Sequence, residues 1–207
     1  MADFRKSHSH GKIGEAAVYA KCWMHGIPAY FTGGLRSNFA GSDLIVETTD
    51  ARKKLWVQVK TGAPILKNHV YLTQCKGECD LEIEKFEADF VVFVNIETKV
   101  GTRHVHAGEL GFEHLSFYVL PRDAANQLYQ RWLAHWHAKP KRDGEQRKLG
   151  NMAVHVPTAE MEQYRDAWRL LKAQSNAKHS VSSKDLRARS FGPISQQSFK
   201  KSGGAPR

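Results

Sequence analysis

The run DFVVFVNIE, residues 89 to 97, constrains the fold more than any other part of the chain. Its apolar residues are consecutive rather than alternating, and they are β-branched or aromatic. That composition suits a strand buried on both faces, which needs cover above and below the sheet it joins. The surrounding pattern supplies candidates. Gly11 to His25 has a helical period, with Ile13, Ala17, Ala20 and Met24 on one side and Gly26 and Pro28 as the stop. AYFTGG (29–34), DLIVETT (43–49), KLWVQVKTG (54–62), HVYLTQ (69–74), RHVHAGE (103–109), FYVLP (117–121) and NMAVHVP (151–157) read as strands. A turn over residues 50–53 joins the second and third of these. RDAANQLYQRWLAHWHA (122–138) and TAEMEQYRDAWRLLKAQ (158–174) read as helices, the latter capped by Thr158. A helix, then mostly strands, then helices gives an α/β or α+β layer with a mixed central sheet.

Three segments follow from composition. Residues 1–10 read as a flexible arm, 11–176 as one folded domain, and 177–207 as a disordered basic tail. The tail holds seven Lys or Arg and one Asp, a net of +6, so only +4 of the total +10 falls on the rest of the chain. This balance points to a polyanionic partner, nucleic acid before an acidic membrane surface. Three cysteines argue against a disulfide framework. No run reaches the roughly 18 apolar residues of a membrane helix, and the first residues lack the apolar core of a signal peptide. The chain is expected to be soluble, intracellular and cytoplasmic.

Residues of chemical interest gather near the start. In WVQVKTG (56–62), Gln58 and Lys60 emerge on one face of the strand. Asp43 opens the preceding strand, and a hairpin would bring it toward the end that meets Gln58 and Lys60. Glu15 lies in GKIGEAA, where Gly11, Gly14, Ala16 and Ala17 permit close approach of a helix to a sheet. Such a cluster suits phosphodiester hydrolysis. Asp43 and Glu15 offer hard oxygens for Mg²⁺, with Mn²⁺ as a substitute, and Gln58 adds a neutral carbonyl oxygen. Lys60 is placed to orient a water or to stabilise the pentavalent transition state.

These motifs resemble the PD-(D/E)XK nuclease superfamily. Asp43 matches its Asp, QVK (58–60) its (D/E)XK element, and Glu15 its helix Glu. GKIGEAA, SDLIV and WVQVKTG are most similar to a group of small PD-(D/E)XK endonucleases with a QxK motif that includes a homing endonuclease. The resemblance covers about residues 11–97. It departs at Ser42, where the family motif has Pro, and at Gln58, where most members carry an acid. It implies a restriction-endonuclease-like core, a mixed central β-sheet flanked by helices. It also implies a metal-dependent endonuclease acting on DNA, with Asp43, Gln58, Lys60 and Glu15 catalytic and Asp43, Gln58 and Glu15 around the metal. Cutting both strands of a duplex needs two sites, hence a homodimer.

In the loop GGLRSNFAGS, Arg36 and Asn38 are candidate DNA contacts, as are Lys12 and Lys67. The alternative is a catalytically degenerate DNA-binding module on the same fold. A third reading is an interaction protein that recruits acidic partners through its tail. CKGEC (75–79) lacks the second pair a tetrahedral zinc site needs. His104, His106, His135 and His137 read as packing or surface residues.

Overall fold

The computed structural model describes residues 4–32, 41–48, 53–63, 68–75, 84–97, 99–100, 103–104, 111–141, 144–145 and 152–173. Arg36, Asn38, Lys67, Cys79, His106 and the tail 177–207 lie outside the described residues. The strands are β1 (Ala29–Phe31), β2 (Leu44–Glu47), β3 (Lys54–Gly62), β4 (His69–Cys75), β5 (Phe90–Ile96), β6 (Lys99–Val100), β7 (Arg103–His104), β8 (Leu115–Pro121) and β9 (Met152–Pro157). The helices are α1 (Phe4–Met24), α2 (Arg122–Ala138), α3 (Thr158–Met161) and α4 (Arg169–Ala173).

The architecture is α/β. Five strands form a mixed sheet in the order β1-β2-β3-β5-β8, flanked by helices. Only the β3–β5 pair is parallel; the other neighbours are antiparallel. β4 and β9 pair in a separate two-stranded sheet, and β6 and β7 form a short ribbon.

β5 shows why the apolar run matters. All seven of its residues are buried. Phe90, Val92 and Val94 enter a core with Ala17, Val18 and Cys22 of α1 and with Trp168 and Leu171. Val91 and Phe93 enter a second core with Leu128, Tyr129 and Leu133 of α2 and with residues of β4 and β9. Burial pushes the Cys22 thiol up to about 12, as an apolar site does to an ionisable group. Two buried amides tie neighbouring segments to this frame. Asn126 accepts from Phe86 N–H at 2.9 Å and donates to Phe86 C=O at 3.0 Å. Asn95 accepts from Tyr71 N–H at 3.2 Å, joining β4 to β5.

The structure corrects several expectations. α1 begins at Phe4, so residues 4–10 are helix and not an arm; nothing in FRKSHSH breaks a helix, since it has no Gly or Pro. The buried face of α1 runs through Gly14, Ala17, Val18 and Cys22, whereas Met24 is exposed. β1 stops at Phe31. The expected helix 158–174 is broken: after α3 and one 3₁₀ turn (Glu162–Tyr164), Asp166 takes a φ of 46°. Its N–H donates to Phe117 C=O at 2.9 Å and Arg165 bridges Tyr118, so the chain pairs with the free edge of β8 instead of continuing to coil. Thr158 is not a cap. Pro157 holds that position with no side-chain bond, and the Thr158 N–H donates to Asn68 C=O at 2.8 Å.

Candidate active site

β2 and β3 form the expected hairpin, with Leu44 opposite Val57. The ladder extends one residue further, because Asp43 N–H donates to Val57 C=O at 2.9 Å. Beyond that point the Asp43 side chain takes over: its Oδ2 accepts from Val59 N–H at 2.7 Å. A carboxylate thus stands where the next backbone carbonyl of β2 would have stood. Asp43 is fixed in the plane of the sheet, between the backbone positions of Gln58 and Lys60. On its other side, Thr32 N–H donates to Asp43 C=O at 3.1 Å and Thr32 Oγ1 donates to Ser42 C=O at 2.8 Å.

Alternation along β3 turns Val57 and Val59 toward α1 and Gln58 and Lys60 toward the other face. Gln58 is 8% exposed, and its buried Oε1 has no hydrogen-bond partner. Its Nε2 is 3.6 Å from the point a Cβ would occupy on Gly41, whose φ is 85°. Glu87 Oε2 is 3.9 Å from that same point. Glu87 was not anticipated from sequence, since nothing in EKFEADF marks it apart from its charge.

On the α1 face, a cavity of about 380 Å³ is lined by Lys12, Glu15, Ala16, Phe31, Thr32 and Asp43. Glu15 is 18% exposed, and Lys12 Nζ reaches its Oε2 at 2.6 Å. Glu15 faces the cavity because α1 approaches β3 closely one residue earlier: a Cβ on Gly14 would collide with Thr61. Gly11 meets nothing within 4 Å, so close approach is confined to Gly14. A phosphate contact by Lys12 would compete with its Glu15 pair. Phe31 and Thr32 lay outside the expected site, because the register that brings β1 beside Asp43 is a tertiary pairing without local signal.

The electrostatics follow from this placement. Burial raises the Asp43 carboxyl above its ordinary value of 3.8. The Val59 N–H opposes that, the Glu15 charge adds to it, and Lys60 and Lys12 oppose it. Asp43 therefore feels Glu15 from one face and Lys60 from the other. The hydrogen bond and ion pair with Glu15 raise the Lys12 ammonium in turn. The oxygen donors near Asp43 are Glu15, which shares its cavity, and Gln58, which lies on the opposite face of β3. Among the described residues no three His, Cys, Asp or Glu side chains converge, so any such set relies on the amide. No described helix is long and apolar enough to cross a membrane.

No family model matches the chain, and no curated protein matches it. The solved structure of a bacterial homing endonuclease, I-Ssp6803I, is similar to it at a TM-score of 0.45 and 18% identity, over 83% of this chain and 97% of that one.

Proposed function

We propose that this chain is a metal-dependent endonuclease that hydrolyses DNA phosphodiester bonds through Asp43, Gln58, Lys60 and Glu15. The observation that carries the reading is the capture of Asp43 Oδ2 by Val59 N–H, between Gln58 and Lys60, with Glu15 across the cavity. A desolvated carboxylate lies near a second one, and the buried Gln58 Oε1 has no hydrogen-bond partner among the described residues. Both features fit a site that gains a hard cation, which accepts one or two carboxylates, a neutral oxygen, waters and phosphate oxygens. Asp43 and Glu15 would hold Mg²⁺, or Mn²⁺ in its stead, in the cavity they line, and Gln58 would reach that ion only around Asp43, from the opposite face of β3. When bound, the ion supplies Lewis-acid stabilisation of charge developing on the phosphate.

The chain's own residues do the rest. The Val59 N–H fixes Asp43, so the carboxylate needs no ordering when substrate arrives. Lys60 places a positive charge within reach of Asp43, where it stabilises the added negative charge of a pentavalent phosphorus. Lys12 offsets the charge of Glu15, which lowers repulsion toward an incoming phosphate. Duplex cleavage would use two copies of the chain. The basic tail and the residues Arg36, Asn38, Lys12 and Lys67 would add salt-dependent affinity.

Gln58 favours one second reading, a DNA-binding module that has lost catalysis, because an amide removes one negative charge from the donor set. Purified protein incubated with linear, supercoiled, branched and single-stranded DNA separates the two. Mg²⁺-dependent cutting that EDTA and Asp43→Ala both abolish is the expected result. Binding without cutting in wild type and variant alike overturns the endonuclease.

A further inference from the structure

Phe31 ends the edge strand β1 and is 44% exposed. Its ring is not loose. It stacks on Tyr19 of α1 at a centroid distance of 4.7 Å and an interplanar angle of 20°. Tyr19 is braced edge-on by Trp23 at 6.4 Å, itself 48% exposed. Phe31 also lines the cavity that holds Asp43, Glu15 and Lys12. One wall of the site is thus a backed aromatic plane, open to solvent, and three charged side chains, Asp43, Glu15 and Lys12, share the cavity with it. Hydrophobic burial does not account for it, since Phe31 lies outside both apolar cores.

The geometry points to Phe31, backed by Tyr19, as a stacking platform for an unpaired base beside the phosphate held at Asp43. The inference rests on the endonuclease reading for the position of that phosphate, and it adds a substrate class: nucleic acid with single-stranded or unpaired character. The argument is chemical. In a paired duplex the base faces are covered by their neighbours, and only base edges and backbone are presented. An aromatic wall in a concave site meets a base face only when that base has left the stack. A polyanion also suits a chain of net charge +10 whose Lys12 Nζ borders the same cavity. Backing by Tyr19 holds the ring in place beforehand, which limits the ordering cost of binding.

The test uses full-length protein with Ca²⁺ in place of Mg²⁺, so that the phosphate keeps a hard cation and binding is read apart from Mg²⁺-dependent cutting. The probes are a DNA single strand and a bulged duplex, each with 2-aminopurine at the unpaired position, and a fully paired duplex as control. Wild type should quench the unpaired probe by stacking. Phe31→Ala and Phe31→Leu should abolish the quench and weaken binding to unpaired probes by about 5- to 140-fold, leaving the paired duplex unchanged. Phe31→Tyr should retain both signals. Thermal melting of the Leu and Tyr variants checks that the fold persists. Equal quenching by Phe31→Leu and wild type overturns the platform. So does an equal loss on paired and unpaired DNA, the absence of any binding to unpaired probes, or an effect of Phe31 confined to self-association. The endonuclease fails separately, by a quench that persists in a protein that never cuts with Mg²⁺.

Discussion

Gly14 and Gly11 lie three residues apart on α1 and meet opposite surroundings, which makes them a matched pair. Alanine at either position should gain about 1 kcal/mol of helix propensity. At Gly11 the new methyl enters open space, and that gain stands. At Gly14 it collides with Thr61 Oγ1, and rotating the threonine does not help, because Thr61 Cβ and Cγ2 both lie 2.9 Å from the same point. Overpacking of this kind costs about 1–3 kcal/mol. Propensity cancels in the comparison, so Gly11→Ala should exceed Gly14→Ala in stability by about 1–3 kcal/mol. For a chain of this size each kcal/mol moves Tm by about 2–4 °C. Urea unfolding and thermal melts of the two variants read the difference directly. Because Glu15 follows Gly14, a helix pushed off β3 also carries Glu15 away from Asp43, so cleavage should fall in Gly14→Ala and not in Gly11→Ala. If both variants are stabilised alike, α1 does not approach β3 at this point and the placement of Glu15 is wrong.

Two further outcomes follow from buried groups. The Asp43 carboxyl is raised chiefly by burial, so its native state favours the proton. The stability it contributes is present below its ordinary value of 3.8 and is lost as pH rises through the raised folded value. Asp43→Asn keeps an oxygen for Val59 N–H and removes the charge, so it should stabilise the protein at neutral pH, lose that advantage near pH 3, and abolish cutting; melts across pH would refute this by showing a pH-independent difference. Asn126→Ala strands the Phe86 N–H and C=O in the interior, and at about 1–3 kcal/mol for each orphaned group it should cost about 2–6 kcal/mol in urea unfolding, with a loss under 1 kcal/mol refuting the bonds.

The strands with the strongest local signal were legible from sequence. DFVVFVNIE is β5, buried on both faces, and KLWVQVKTG is β3 with the bounds its alternation suggests. The helix 122–138 is equally clear, since Pro121 and a run of helix formers define it. The hairpin that places Asp43 next to Gln58 and Lys60 needed only two neighbouring strands and a short turn. What stayed hidden was decided by distant pairing. TAEMEQYRDAWRLLKAQ has helical composition, but the unpaired edge of β8 captures Arg165 and Asp166 and splits it. The pairing of β4 with β9 joins residues far apart in sequence, His69 with Pro157 and Cys75 with Met152, and leaves no local trace. Phe31, Thr32 and Glu87 reach the site through such contacts. Gln58 and Lys60 were legible as a pair, but their separation from Glu15 by the sheet follows from the register, which no spacing encodes.

β5 belongs to both apolar cores at once, with alternate residues committed to each. Opening either side strips one face of the same strand and weakens its hydrogen bonds to β3 and β8. The α1 layer that carries Glu15 and the α2 layer behind it are therefore not separate folding units. Loss of one removes support from the other, so the two layers should unfold together, with the slowest-exchanging amides in β5. A substitution deep in the α2 core is felt at Asp43 through the fraction of molecules folded, although it touches nothing there.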